Sequence, residues 1–211
     1  MPKKYEAIIF DLGGVLYDID VTRTVDAFAA LGVPGFNQYY TLQNQTGLID
    51  RFEKGQLNQE AFTEGVNQLI GREFSTDQVR NAWNALLIGL PAQSVELLHD
   101  LKQKGYQIYL LSNTNAFHME AINQEVRQKY GIPSLASLVD KAWYSFEMNM
   151  RKPDAEIYEK VMRENGLNPQ TTVFIDDNQD NILSAEKAGM PAMHKPGDRS
   201  IQDLLTDMGI G

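Results

Sequence analysis

Apolar residues change their spacing twice along this chain, and the changes divide it into parts. Near the start, Ile8-Ile9-Phe10 is a continuous apolar run that stops at Asp11 and is followed by Leu12-Gly13-Gly14-Val15-Leu16. A run of this length bounded by turn formers predicts a buried strand that ends on the aspartate. From Val21 to about Ile88 the apolar positions recur at three-to-four spacing: Val25, Phe28 and Leu31, then Phe62, Val66, Leu69 and Ile70, then Val79, Trp83, Leu86 and Leu87. That is the period of amphipathic helices facing a core, and Gly32-Val33-Pro34-Gly35, Gly47, Gly55 and Gly71 punctuate them.

Beyond Leu90-Pro91 strand and helix patterns alternate. Helices are predicted near Ala92 to Lys104, Ala116 to Lys129, Ala155 to Asn165, Ile182 to Ala188 and Ile201 to Met208, with strands at Tyr106 to Leu111, Ala142 to Ser145, Thr172 to Ile175 and Ala192 to His194. Alternation of this kind predicts an α/β fold on a doubly wound parallel sheet. The core domain is expected over 1–17 and 89–211, and the helical run 18–88, inserted directly after the first strand, is expected to sit over the sheet's carboxyl edge as a cap.

The predicted strand ends carry the polar chemistry. In an open α/β sheet ligands bind outside the carboxyl ends of the strands, and Asp11 stands there with two glycines behind it. The second strand delivers Ser112-Asn113-Thr114-Asn115 to a helix start, where short polar side chains and backbone N–H groups form a phosphate cradle or simply a helix cap. Met150-Arg151-Lys152-Pro153-Asp154 precedes another helix, with Asp154 able to cap it. The strand Thr172 to Ile175 ends in Asp176-Asp177-Asn178-Gln179-Asp180-Asn181, more acidic and amide groups than a cap requires. Asp and Gly are ordinary turn formers, so each segment alone is weak evidence. Together they offer a nucleophile in Asp11, anion-binding groups in Ser112 and Lys152, and a carboxylate pair, Asp11 with Asp177, for a hard cation such as Mg²⁺.

Composition narrows the setting. The 211 residues contain no cysteine, which excludes disulfides and cysteine nucleophiles and suits a reducing cytoplasm. A net charge of −9 argues against nucleic acid as a partner. The apolar run after Lys3 and Lys4 breaks at Asp11, too early for a signal peptide or a membrane span. No G-x-S-x-G, P-loop or G-x-G-x-x-G motif is present. His99, His118 and His194 show no metal-ligand spacing, and Asp18 and Asp20 are candidates for contact with sugar hydroxyls. Oligomeric state is left open.

With these motifs in hand the chain resembles the haloacid-dehalogenase-superfamily hydrolases, all four of whose motifs occur in order. Within them it is similar to the bacterial α-D-glucose-1-phosphate phosphatases, through Asp-Leu-Gly-Gly-Val at 11–15, Asp18-Ile19-Asp20, Leu-Ser-Asn-Thr-Asn at 111–115, Met-Arg-Lys-Pro at 150–153 and Phe-x-Asp-Asp-Asn at 174–178. The resemblance implies Asp11 as nucleophile and Mg²⁺ ligand, Asp177 as second ligand, and Ser112 and Asn113 as phosphate binders. It implies Lys152 as the residue paired with nucleophile and phosphate, and Asp176 and Asn181 as supports behind the ligands. Most phosphatases of the superfamily carry an acid two residues after the nucleophile, and here that position is Gly13, whose carbonyl remains available to a metal. The expected activity is Mg²⁺-dependent hydrolysis of a small sugar phosphate, foremost a hexose 1-phosphate, through an aspartyl-phosphate. The alternatives are a 2-haloacid dehalogenase and a non-catalytic sugar-phosphate-binding protein.

Overall fold

The computed structural model describes residues 4–37 and 47–210, so Lys3 and the stretch 38–46 of the helical run lie outside the described residues. Five strands form one parallel sheet in the order β5 (Lys141–Tyr144), β4 (Gln107–Ser112), β1 (Ala7–Phe10), β6 (Thr172–Asp176), β7 (Ala192–His194). This is the predicted α/β class. Strand β1 lies at the centre and all four of its residues are buried, because a strand covered on both faces has no polar side.

One face of the sheet packs Ile8, Phe10, Ile108 and Leu110 against Leu98 and Leu101 of α5 (Ala92–Gln103), Ile122 and Val126 of α6 (Ala116–Tyr130) and Leu204 of α10 (Ile201–Asp207). The other packs Ile9, Leu111 and Phe174 against Ile157, Tyr158 and Val161 of α8 (Ala155–Asn165) and Ile182 and Ala185 of α9 (Gln179–Lys187). Phe10 is in register with Leu110 on one side and Ile175 on the other, so Asp11, Leu111 and Asp176 are level at the carboxyl edge.

The segment read from its spacing as wholly helical differs at both ends. Asp18–Ile19 (β2) pairs antiparallel with Leu87–Gly89 (β3), forming a small ribbon too short to register as a period. Between these strands run α1 (Val21–Ala30), α2 (Leu48–Glu53), α3 (Gln59–Ile70) and α4 (Thr76–Trp83). Asn58 caps α3, and α4 opens with a Ser75/Gln78 capping box. Phe28, Phe52, Phe62, Val66, Val79 and Trp83 form a separate apolar cluster, which Phe117 of α6 enters from below. Gly55 follows α2 at φ +65, and a Cβ there would lie 2.0 Å from the Phe146 carbonyl of α7 (Ser145–Met148). Only glycine permits this close approach of the helical insert to the sheet domain.

Two local expectations change. Helix α9 begins at Gln179 rather than Ile182, because the Asn178 side chain accepts from the Asp180 N–H and starts the helix earlier. Asp154 precedes α8 but makes no capping hydrogen bond; its carboxylate lies 3.3 Å from Lys54 Nζ of the insert. Among the described residues no helix is long and apolar enough to cross a membrane.

Phe117, carried by α6 of the sheet domain, is fully buried in the insert's apolar cluster, so Phe117→Ala is expected to cost about 3–5 kcal/mol, as for other buried aromatic truncations. Equilibrium urea unfolding reads this as a lowered midpoint with an unchanged slope.

Candidate active site

Asp11 follows β1, Ser112 ends β4 and Asp176 ends β6, so three adjacent strands converge on one point. Lys152 reaches that point from the loop before α8, with its side chain 1% exposed. Its Nζ donates to Asp11 Oδ1 at 2.7 Å, to Asp176 Oδ2 at 2.6 Å and to the Leu111 carbonyl at 2.9 Å. An ammonium has three protons, and all are committed.

Asp176 is equally committed. Besides Lys152, it accepts from the Asn178 N–H at 2.8 Å and from Asn181 Nδ2 at 3.1 and 3.0 Å on its two oxygens. Asn181 thus stands behind Asp176, its amide donating to both carboxylate oxygens. Asp177 is the more open neighbour, and Asp11, Asp176 and Asp177 each bring an oxygen within 4.8 Å of the others. Gly14 makes room for this: at φ +71, a Cβ there would lie 2.2 Å from Asp177 Oδ2. Burial, opposed by Lys152 and aided by Asp176 and Asp177, pushes the Asp11 carboxyl well above its ordinary value, and burial followed by Asp176 raises Asp177. Three carboxylates against one ammonium leave a negative excess, and an all-oxygen donor set of this kind suits Mg²⁺. Asp11 and Asp177 are the two with unfilled oxygens.

The segment 112–115 serves shape more than the sequence suggested. Asn113 donates from Nδ2 to the Lys152 carbonyl at 2.8 Å and accepts the Lys152 N–H on Oδ1 at 2.9 Å, so its side chain clamps the lysine loop. Thr114 is held by Ser145, whose Oγ accepts from the Thr114 N–H and donates to its carbonyl, both at 2.9 Å. Asn115 caps α6. Ser112 is buried, and its hydroxyl makes only a 3.5 Å contact with the Asn113 carbonyl.

A cavity of about 170 Å³ opens beside this point, lined by Leu12, Gly13, Ser112 and Asn113 from the sheet domain and by Ile19, Val21, Glu53 and Leu87 from the insert and its ribbon. Gly13 therefore borders the cavity, but the place where its side chain would grow is taken: a Cβ would lie 3.0 Å from Ile19 Cδ1. Asp20 does not border it. Its carboxylate caps α1 and accepts from the Thr22 hydroxyl. Asp18 borders a different depression, beside Lys195 and Arg199. His118 borders the cavity with Nδ1 facing Asn115 Nδ2 at 3.1 Å and Nε2 facing the Trp83 carbonyl at 3.4 Å. Burial lowers its pKa to about 4, so it is neutral at pH 7.

Sequence reasoning missed Ser145, Ile19 and Glu53. Glu53 Oε2 lies 3.0 Å from Arg151 Nη2, a pairing across 98 positions that no local pattern reports.

A family model described as haloacid dehalogenase-like hydrolase matches residues 5–189. A D-ribitol-5-phosphate phosphatase of Bacteroides thetaiotaomicron is 31% identical over 199 residues, covering 94% of this chain and 96% of that one. A sesquiterpene phosphatase of Aspergillus oryzae is 26% identical over 191 residues, covering 90% and 89%. A crystal structure of a family enzyme of B. thetaiotaomicron, an aspartate-to-alanine mutant in complex with magnesium and inorganic phosphate, superposes with a TM-score of 0.88 at 28% identity and covers 95% of this chain and 98% of that one.

Lys152→Met is expected to destabilise the protein by roughly 3–5 kcal/mol at neutral pH, since it strands two buried carboxylates. The loss shrinks in acid as Asp11, whose carboxyl burial pushes up to about 7, takes up a proton; denaturant melts at pH 7 and pH 5 check both. Gly14→Ala is expected to weaken magnesium binding, measured by calorimetry, while leaving the sheet domain folded.

Proposed function

The chain belongs to the haloacid dehalogenase-like hydrolase family and is a phosphatase of that family, and on that premise we propose that it hydrolyses a small sugar or polyol phosphate through a phosphorylated Asp11. The observation that carries this reading is the convergence of Asp11, Lys152, Asp176 and Asp177 beside a cavity of about 170 Å³. Ligand pockets generally run to roughly 300–1,000 Å³, so this one favours a compact leaving group over a terpenoid or a nucleotide.

In this reading the Lys152 ammonium holds Asp11 Oδ1 and leaves Oδ2 as the attacking oxygen. Asp176 acts through Lys152, fixing its position and its charge, and Asn181 fixes Asp176. Ser112 Oγ and the N–H groups of the 112–115 segment receive the phosphoryl oxygens, while the Asn113 side chain holds the lysine loop in place. Asp11, the Gly13 carbonyl and Asp177 would hold Mg²⁺, which when bound neutralises phosphoryl charge and eases the approach of one anion to another. The segment 18–88 acts as a cap that closes the cavity and selects the leaving group. Among substrates, the lack of an acid at Gly13 favours an anomeric leaving oxygen, as in glucose 1-phosphate, whereas the likeness to a ribitol-5-phosphate phosphatase favours a primary one.

A phosphate-release panel containing hexose 1-phosphates, hexose 6-phosphates and pentitol 5-phosphates tests this reading. Turnover is expected on compact polyol and sugar phosphates, lost with chelator and restored by Mg²⁺; Asp11→Asn reduces it to background. A rate unchanged by chelation contradicts the metal assignment.

A further inference from the structure

The side of the cavity where a leaving group must depart lacks the acid that phosphoryl transfer to water normally needs. At Gly13 there is no side chain, and Ile19 Cδ1 occupies the adjoining space as an apolar wall. A phosphomonoester of an aliphatic alcohol leaves slowly as an alkoxide, so a proton must come from elsewhere in the lining.

Among the described residues three ionisable side chains line this cavity: Tyr17, Glu53 and His118. The Tyr17 hydroxyl donates to Glu125 Oε2, and burial together with that carboxylate raises its pKa further from the working range. His118 is neutral, with both ring nitrogens facing protein partners. Glu53 is the remaining group and, among the described residues, the only carboxyl in the lining. It ends α2, where Gly55 lets the turn seat against Phe146, so its position depends on the docked insert. Arg151 holds Oε2 at 3.0 Å, and Oε1 has no hydrogen bond or ion pair among the described residues.

We propose that Glu53 is the general acid of this enzyme, delivered by the insert, protonating the leaving oxygen through Oε1 while Arg151 fixes Oε2. The proposal rests on the phosphatase reading above and deepens it. As Asp11 Oδ2 bonds to phosphorus, the P–O bond to the leaving group breaks, and its electron pair stays on the leaving oxygen, which takes the Glu53 proton. Glu53 is then a carboxylate. In the second half, water attacks phosphorus and gives its proton to Glu53, the bond to Oδ2 breaks with its pair returning to Asp11, and inorganic phosphate leaves. The charges around Glu53 are compatible with a carboxyl that carries a proton: burial, the strongest influence, raises its pKa, Arg151 and Lys152 lower it, Asp50 raises it, and the net direction is upward. An acid brought by the insert also removes the need for an anomeric leaving group, opening primary-alcohol phosphates such as pentitol 5-phosphates to turnover.

The test compares wild type, Glu53→Gln, Glu53→Asp and Tyr17→Phe on ribitol 5-phosphate and on p-nitrophenyl phosphate, whose leaving group departs without a proton. Glu53→Gln is expected to lower kcat/KM on the alkyl ester by about 10²–10⁴-fold, leave kcat/KM on the aryl ester little changed while lowering kcat on both, because water attack in the second half also uses Glu53, and erase the fall of the alkyl kcat/KM at high pH. Glu53→Asp recovers part of the alkyl rate. Equal losses of kcat/KM on both esters would identify Glu53 as a structural latch, and an alkyl-selective loss of kcat/KM in Tyr17→Phe but not in Glu53→Gln would move the role to Tyr17; either result overturns the proposal alone. Wild-type turnover that survives Asp11→Asn overturns the underlying reading and the proposal with it.

Discussion

A single buried ammonium organises this site. Lys152 sits at the centre of the sheet's carboxyl edge, where an uncompensated charge would be costly, and its three protons go to Asp11, Asp176 and the end of β4. The consequences spread outward. Asp176 is fully bonded, with Asn178 and Asn181 facing it besides the lysine. Asp11 is held by one oxygen and left with one to use. The lysine's own backbone must not shift, so Asn113 pins it on both its N–H and its carbonyl. Asp177, outside this web, is the carboxylate left over for a cation, and Gly14 exists as glycine because that carboxylate lies against it.

The insert is tied to the same centre through neighbouring residues. Arg151, next to the lysine, faces Glu53 at 3.0 Å and Asp50 at 3.4 Å, both on α2. Asp154, two residues beyond the lysine, faces Lys54. Arg151 and Glu53 are each only 15% exposed, so their pairing is partly desolvated, and the buried Phe117 adds an apolar contact to the docking. What the charged pairs supply is register: they set which residues of α2 and its C-terminal cap face the 151–154 loop. The contacts of the insert and the ammonium at the sheet edge therefore share one loop, 151–154.

Much of this was legible in the chain itself. The unbroken apolar run at β1, with Asp11 at its end, followed directly from burial of a central parallel strand, and Asp11, Ser112, Lys152, Asp176, Asp177 and Asn181 do converge. What stayed hidden has a common physical cause. Asn113 reads as a phosphate contact but spends its side chain on a backbone 39 positions away. Asp20 and Asp154 share a composition suited to capping, yet only Asp20 caps, because Lys54 competes for Asp154. Glu53 gave no signal at all, since its meaning comes from Arg151 and from a cavity closed by two separate segments. The ribbon of β2 and β3 was too short to show a period. Local chemistry can be read from spacing; pairings made only by the tertiary fold cannot.

The central claim is that Asp11, aimed by Lys152, becomes phosphorylated during turnover. Acid quenching of enzyme mixed with a phosphate-labelled substrate and Mg²⁺, followed by mass spectrometry of the peptide spanning residues 5–22, measures this directly. The account predicts a phosphoryl group on Asp11 that appears at or before the first release of the alcohol and decays as inorganic phosphate forms. Product formation with Asp11 unmodified at every time, or the label on another residue of the site, would contradict it.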